Sequence, residues 1–162
     1  MSKLDSFIRR MKAQRDCLNF AARKIAELPG PVLELGLGNG RTYDHLRELF
    51  PDRDIYVFDR RNAAYKDCTP PDDWMFLGEV TDTLSLAAER FGKTAAFVHI
   101  DLGTSDDKCN AELLTIVGPL LTPLVVSGGI IVSNFALSID GWVKLAEPPE
   151  VKPGRYFLYQ AN

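Results

Sequence analysis

The chain has 162 residues, 46% of them hydrophobic and 25% charged, with a formal net charge of −3. That is the size of one ordinary globular domain, and such a chain buries roughly 70% of its unfolded surface, so it needs neither disulfides nor a structural metal to fold. The apolar-rich stretch 113–126 is broken by Gly118, Pro119 and Pro123, short of the ~18 consecutive apolar residues of a membrane span.

The first predicted element covers residues 4–28, where Leu4, Phe7, Ile8, Met11, Leu18, Ala21, Ala22, Ile25 and Leu28 recur at helical spacing. This is one long amphipathic helix or two short ones, stopped by Pro29-Gly30. It lacks the apolar core of a signal peptide. Residues 1–28 hold seven basic residues against three acidic ones, so the remainder is acidic. The pattern reads as a solvated helix face docking on that acidic body, rather than a nucleic-acid platform, since no basic stretch is interleaved with aromatics. Cys17, Cys68 and Cys109 are odd in number, far apart and form no CxxC pair, as in a reduced, cytoplasmic protein.

Next, Pro31 to Gly36 reads as a short buried strand entering a glycine-rich turn, and Arg41–Phe50 as a helix with Tyr43, Leu46 and Phe50 inward. Ile55–Phe58 is a second strand, ending at Asp59. Trp74–Leu77 is a third, followed by a helix over Thr81–Phe91 capped by Thr81 or Asp82. Ala95–Ile100 is a fourth strand, ending at Asp101, and Asp106–Leu121 a helix with Asp106 and Asp107 in its first turn. Gly129–Ser133 is the fifth strand, and Trp142–Leu145 with Tyr156–Gln160 form a terminal pair. Alternating strands and helices predict a doubly wound, mostly parallel, Rossmann-like α/β sheet with helices on both faces. The 162 residues read as one domain: a helical lid or arm over 1–28, a core over 31–134 and terminal strands over 135–162.

The chemistry lies in the run Glu34-Leu35-Gly36-Leu37-Gly38-Asn39-Gly40, between a strand and a helix. Alternate glycines permit positive φ and let a ligand approach bare backbone. The helix that follows offers free N–H groups to an anionic ligand group. Asp59, nineteen residues beyond Gly40, ends the next strand, where this fold places a carboxylate for a ribose diol. Together they describe a pocket for an adenosine-containing cofactor. The dinucleotide fingerprint GxGxxG is not met, because Arg41 stands where its third glycine belongs. An acid two positions before the first glycine also suits a cationic ligand better than a pyrophosphate.

The order ExGxGxG resembles class I S-adenosylmethionine-dependent methyltransferases, from about Pro31 to Asn134. The resemblance implies S-adenosyl-L-methionine as cofactor, with Glu34, Gly36, Gly38 and Gly40 along its methionine part and Leu37 beside them. Asn39, Arg41 and Thr42 would hold its carboxylate at the helix start. Asp59 would take the ribose hydroxyls, Arg60 would flank the adenine, and Gly78, Glu79 and Val80 would meet the adenine amino group and face. Asp101 matches the position nearest the transferred methyl and is the candidate general base, with Leu102 beside it and Tyr43 and Asn134 as orienting groups. Ser127-Gly128-Gly129 resembles the turn that leads into the family's fifth strand, with serine in place of proline.

The resemblance thus implies methyl transfer to an oxygen or nitrogen of a small-molecule acceptor. A non-catalytic S-adenosylmethionine-binding module and a NAD-dependent oxidoreductase stand as alternatives. No metal is expected: Asp101 with Asn134 is thin ligation for a hard cation. No separate acceptor-binding insertion is present, so lid candidates are the basic N-terminal helix and the 101–110 loop. His45 reads as an inert surface residue and His99 as a buried, hydrogen-bonded one. Trp142, Tyr156 and Tyr159 read as core packing. A parallel sheet edge near 142–160 could pair between subunits, giving a homo-oligomer.

Overall fold

The structure, a computed structural model, describes residues 2–103 and 106–162, with only the backbone of Asp107. Thr104 and Ser105, part of the loop candidate for a lid, lie outside the described residues. Among the described residues there are four α-helices: α1 (Lys3–Lys24), α2 (Arg41–Leu49), α3 (Val80–Phe91) and α4 (Asp107–Leu121). The seven strands are β1 (Val32–Leu35), β2 (Ile55–Asp59), β3 (Met75–Leu77), β4 (Ala95–Ile100), β5 (Val125–Ser133), β6 (Val143–Leu145) and β7 (Phe157–Gln160).

The first predicted element is a single helix. Ser2 caps α1 through a capping box with Asp5, and the basic pair Arg23 and Lys24 falls in its last turn, where it complements the helix dipole. The sheet order is β3-β2-β1-β4-β5-β7-β6. β1 to β5 pair in parallel, and β7 runs antiparallel between β5 and β6. The terminal edge is therefore antiparallel rather than parallel, and it ends in a strand of three residues. β1 and β4 are buried at every position, as expected of central parallel strands covered on both faces.

One core packs α1 and α2 on the sheet through Leu18, Ile25, Leu46, Val32 and Phe97. The other packs α3 and α4 through Leu84, Val117, Leu33 and Val98. Tyr156 and Tyr159 are buried in these layers, as core packing requires.

Two boundaries depart from expectation. β5 begins at Val125, four residues early, because Ala95 already pairs with Val125 and the register then slips so that Phe97 meets Ile130. Ser127-Gly128-Gly129 is thus an irregularity inside the strand rather than a turn before it. α3 is capped by neither Thr81 nor Asp82: Glu79 occupies the cap position, and the Thr83 hydroxyl donates back to the Glu79 carbonyl at 3.0 Å, fixing the start one residue earlier. Tyr43, expected as an orienting group, is 2% exposed and packs in the core with the Arg47 guanidinium over its ring. Among the described residues no helix is long and apolar enough to cross a membrane.

Candidate active site

In a parallel sheet of this order the chain leaves β1 toward one side and β4 toward the other, opening a crevice at their carboxyl ends. The seam is tight. The Asp101 amide donates to the Leu35 carbonyl at 2.9 Å and the Gly36 amide to the Phe58 carbonyl at 2.8 Å. Gly36 has φ +95°, and a Cβ there would stand 2.6 Å from the Asp101 carbonyl oxygen. Only glycine lets these two segments touch, and the contact sets Asp101 against the glycine loop.

Two clefts meet at this seam and share Gly36, Gly38 and Asp101. One, of about 360 Å³, opens toward β2 and α3 and is lined by Asp59, Arg60, Gly78, Glu79, Val80 and Leu102. Cys109, Asn110 and Leu113 of α4 complete it. The other, of about 540 Å³, lies between the glycine loop and α1. Its loop side carries Leu37, Asn39, Arg41 and Thr42, and its α1 side carries Phe7, Arg10, Met11, Gln14, Arg15 and Leu18.

Asp59 braces the loop. Its Oδ2 accepts from the Leu37 amide at 2.8 Å and the Gly38 amide at 3.2 Å, and its Oδ1 from the Arg61 amide at 3.2 Å. A carboxylate has about four acceptor sites, so capacity remains for hydroxyl donors in the cleft. Across the loop, Gly40 sits at the cap position just before α2 and supplies no side-chain cap. The first-turn N–H groups of α2 therefore have no acceptor within the helix, and the dipole favours an anion there.

Glu34 and Gly40 line neither cleft. A Cβ on Gly40 would run into Cys68. Glu34 is wholly buried, and its Oε2 lies 2.7 Å from Nδ1 of His99, which is equally buried. The parallel register sets Glu34 beside His99 on the same face of the sheet. His99 Nε2 in turn lies 3.3 Å from the Gln14 amide nitrogen, which also donates to Asp101 Oδ2 at 3.1 Å. An amide nitrogen has only hydrogens to offer, so in the neutral ring His99 Nε2 accepts and the proton sits on Nδ1, aimed at Glu34.

Burial raises the Glu34 carboxyl above the ordinary carboxylate value, with His99 opposing it. Burial also works against charge on His99, but Glu34's charge and hydrogen bond outweigh it and hold the ring above the ordinary imidazole value. Arg10 Nη1 reaches Asp101 Oδ1 at 3.3 Å. Helix α1 is therefore latched to Asp101 by both Arg10 and Gln14. Asn134 supports the same segment by donating to the Leu102 carbonyl at 2.8 Å.

Sequence reasoning did not assign Gln14, Arg10 or His45 to the site. His45, expected to be inert, lines the α1-side cleft and bonds to Asn19 at 2.9 Å. A signal for Gln14 was present: it sits at helical spacing between Met11 and Leu18, a polar residue on an otherwise apolar face.

A family model described as S-adenosyl-L-methionine methyltransferase matches residues 1–161. The chain is similar to a solved S-adenosyl-L-methionine methyl transferase from Silicibacter pomeroyi DSS-3, with 44% identity and a TM-score of 0.94 over 100% of this chain and 99% of that one. The putative methyltransferase yhhF of Escherichia coli superposes with a TM-score of 0.60 at 16% identity, over 93% of this chain and 86% of that one. The MycE methyltransferase of the mycinamycin biosynthetic pathway, in complex with Mg and SAH, superposes with a TM-score of 0.51 at 19% identity, over 74% and 31%. These last two share the fold. A search of curated proteins returned no match.

Proposed function

The chain belongs to the S-adenosyl-L-methionine methyltransferase family, and we propose that it methylates an oxygen or nitrogen of a small molecule held between α1 and the glycine loop. The cofactor is S-adenosylmethionine, which sets the nicotinamide alternative aside. The carrying observation is that Asp59 and the uncapped start of α2 flank the glycine loop on opposite sides, with Asp101 where the two clefts join. A hydroxyl-bearing sugar suits the Asp59 side and a carboxylate suits the helix start.

On this reading Asp59 accepts from the ribose hydroxyls, while Arg60, Gly78, Glu79, Val80 and Leu102 surround the adenine. The loop residues Gly36, Leu37, Gly38 and Asn39 pass beneath the methionine part, whose carboxylate meets the first-turn N–H groups of Arg41 and Thr42. Glu34 acts from below by holding His99, and Gly40 by shaping the loop.

When bound, the cofactor supplies a methyl carbon carried on a sulfonium leaving group. The protein's task is then alignment and exclusion of water. Asp101 stands at the seam and accepts the acceptor's proton as the nucleophilic oxygen or nitrogen is brought into line. Gln14 and Arg10 hold the Asp101 carboxylate in place, and α1 closes the cleft as its lid. The whole of 1–162 works as one binding unit.

The test is calorimetric titration of S-adenosylhomocysteine into the wild type and Asp59→Ala, followed by ¹³C-methyl transfer to a panel of hydroxyl and amine small molecules. Two hydrogen bonds to a charged acceptor are worth roughly 3 kcal/mol together, so Asp59→Ala should weaken binding by about 100-fold. The ¹³C shift of the product distinguishes O-methyl from N-methyl. Wild-type affinity in Asp59→Ala would remove Asp59 from the site, and a methyl found only on carbon or sulfur would overturn the acceptor assignment.

A further inference from the structure

The two clefts carry opposite charge. The Asp59 side is lined by Asp59, Glu79 and Asp101 against Arg60 alone. The α1 side is lined by Arg10, Arg15 and Arg41 against Asp101 alone. From this asymmetry we propose that the methyl acceptor is a small organic anion, a carboxylate or phosphate on an apolar body, bound in the α1-side cleft. The proposal rests on the cofactor reading above and deepens it by naming the substrate class.

The cofactor does not account for these cations. Its amino-acid end brings one carboxylate and one ammonium, which cancel, and its sulfonium adds a further positive charge at the seam. Arg10 and Arg15 have carboxylate partners in Asp101 and Asp16, which leaves the charge of Arg41 without one among the described residues, and a neutral or cationic acceptor would do nothing to offset it. An anion offsets it.

The guanidiniums are also not all engaged. Arg10 is committed to Asp101 at 3.3 Å. Arg15 meets only the adjacent Asp16, and 57% of its side chain is exposed. Arg41 lies over the Tyr65 ring at 5.9 Å, and no carboxylate of the described residues pairs with it. Arg15 holds Asp16 through Nε and Nη2, which leaves its Nη1, and Arg41 at the start of α2 touches only the Tyr65 hydroxyl, at 3.4 Å, among the side-chain bonds of the described residues; such guanidinium donors suit carboxylate and phosphate.

Between them the α1 wall is apolar: Phe7, Met11 and Leu18 line the same cleft, and Phe7 remains 46% exposed. An apolar body laid there covers surface that the fold leaves to water. The cleft, at about 540 Å³, is of the size that holds a small ligand. The acceptor's nucleophile would then point along the cleft floor to Asp101, which both clefts share.

The experiment uses the full chain saturated with S-adenosylhomocysteine at low ionic strength. Benzoate, phenyl phosphate and neutral benzamide are titrated in, with thermal unfolding and calorimetry as readouts. One or both anions should bind saturably and raise Tm, with benzamide at least tenfold weaker; which anion is tighter separates a carboxylate from a phosphate acceptor. Arg15→Gln should weaken the anion by about tenfold while leaving S-adenosylhomocysteine affinity within about twofold, since Arg15 has no part in the cofactor site. Equal binding of benzamide, or no binding of either anion, overturns the proposal. Loss of S-adenosylhomocysteine affinity in Arg15→Gln also overturns it, because that cation would then serve the cofactor. Failure of the wild type to bind S-adenosylhomocysteine at all would instead refute the cofactor reading beneath it.

Discussion

Two alanine substitutions in the glycine loop separate structural from ligand-binding roles. Gly38 has φ +52°, and a Cβ there would have nothing within 4 Å. Alanine at that position bears only the left-handed backbone penalty, about 1–2 kcal/mol. Gly36→Ala carries the same kind of penalty at φ +95° and also drives a Cβ to 2.6 Å from the Asp101 carbonyl oxygen, where something must shift. Overpacking of this kind adds roughly 1–3 kcal/mol, for a total of about 2–5 kcal/mol. At about 2–4 °C per kcal/mol, Gly38→Ala should lower Tm by roughly 2–8 °C and Gly36→Ala by roughly 4–20 °C. Urea unfolding gives the two free energies, and titration with S-adenosylhomocysteine gives the affinities. Gly38→Ala should weaken binding at least tenfold, because its methyl group occupies space that both clefts share. Wild-type affinity in Gly38→Ala would refute the placement of the ligand over the loop. Equal destabilisation by both substitutions would refute the rigid contact between Gly36 and Asp101.

Three further outcomes are expected. Because His99 and Glu34 both bind their proton more tightly in the folded state, the stability this pair contributes is full below both unfolded values and is lost as pH rises through the raised Glu34 and His99 values. Urea unfolding across that window should show the slope in the wild type and a flatter one in Glu34→Gln, where the buried imidazole loses its anion; identical slopes would exclude the pair as the source. The Tyr156 hydroxyl is buried with no hydrogen-bond partner among the described residues, so Tyr156→Phe should raise stability by about 1 kcal/mol, and a loss of stability would mean that the hydroxyl is satisfied. Iodoacetamide should alkylate exposed Cys109 and spare Cys17, whose thiol is buried and pushed up to about 12. Peptide mass spectrometry should also find Cys109 protected by S-adenosylhomocysteine, since it lines the Asp59-side cleft; unprotected alkylation would place the adenosine elsewhere.

Much of the candidate site was legible because local features announce where its residues lie in the fold. Gly36 to Gly40 follow a strand and precede a helix, and Asp59 and Asp101 each end an apolar run, so their place at the carboxyl ends of parallel strands follows from chain order alone. What could not be read was lateral. Glu34 belongs to the glycine motif in sequence, yet its side chain is turned to His99 because β1 lies beside β4, and strand order is a property of the whole sheet. Gln14 joins the same network from a helix far upstream. Tyr43 looked available because helix periodicity identifies a buried face without saying whether a cleft borders it. The insertion of β7 between β5 and β6 was likewise hidden, since two short strands near a sheet edge can add in either order.

The central place of β1 has a consequence for how the protein acquires its site. β1 can zip with β2 across a short connection, but its other edge must wait for β4, which follows only after β2, β3 and α3. The entropy of closing that longer loop is met only once its intervening elements have collapsed. A half-folded chain holding β1, β2 and β3 already carries Asp59 and the glycine loop, yet lacks the Asp101 wall and the floor against which Gly36 rests. Ligand affinity therefore arrives with the pairing of β1 and β4, the widest in sequence separation, rather than growing gradually, so the ligand captures only chains that have made that pairing and selects against those that have not.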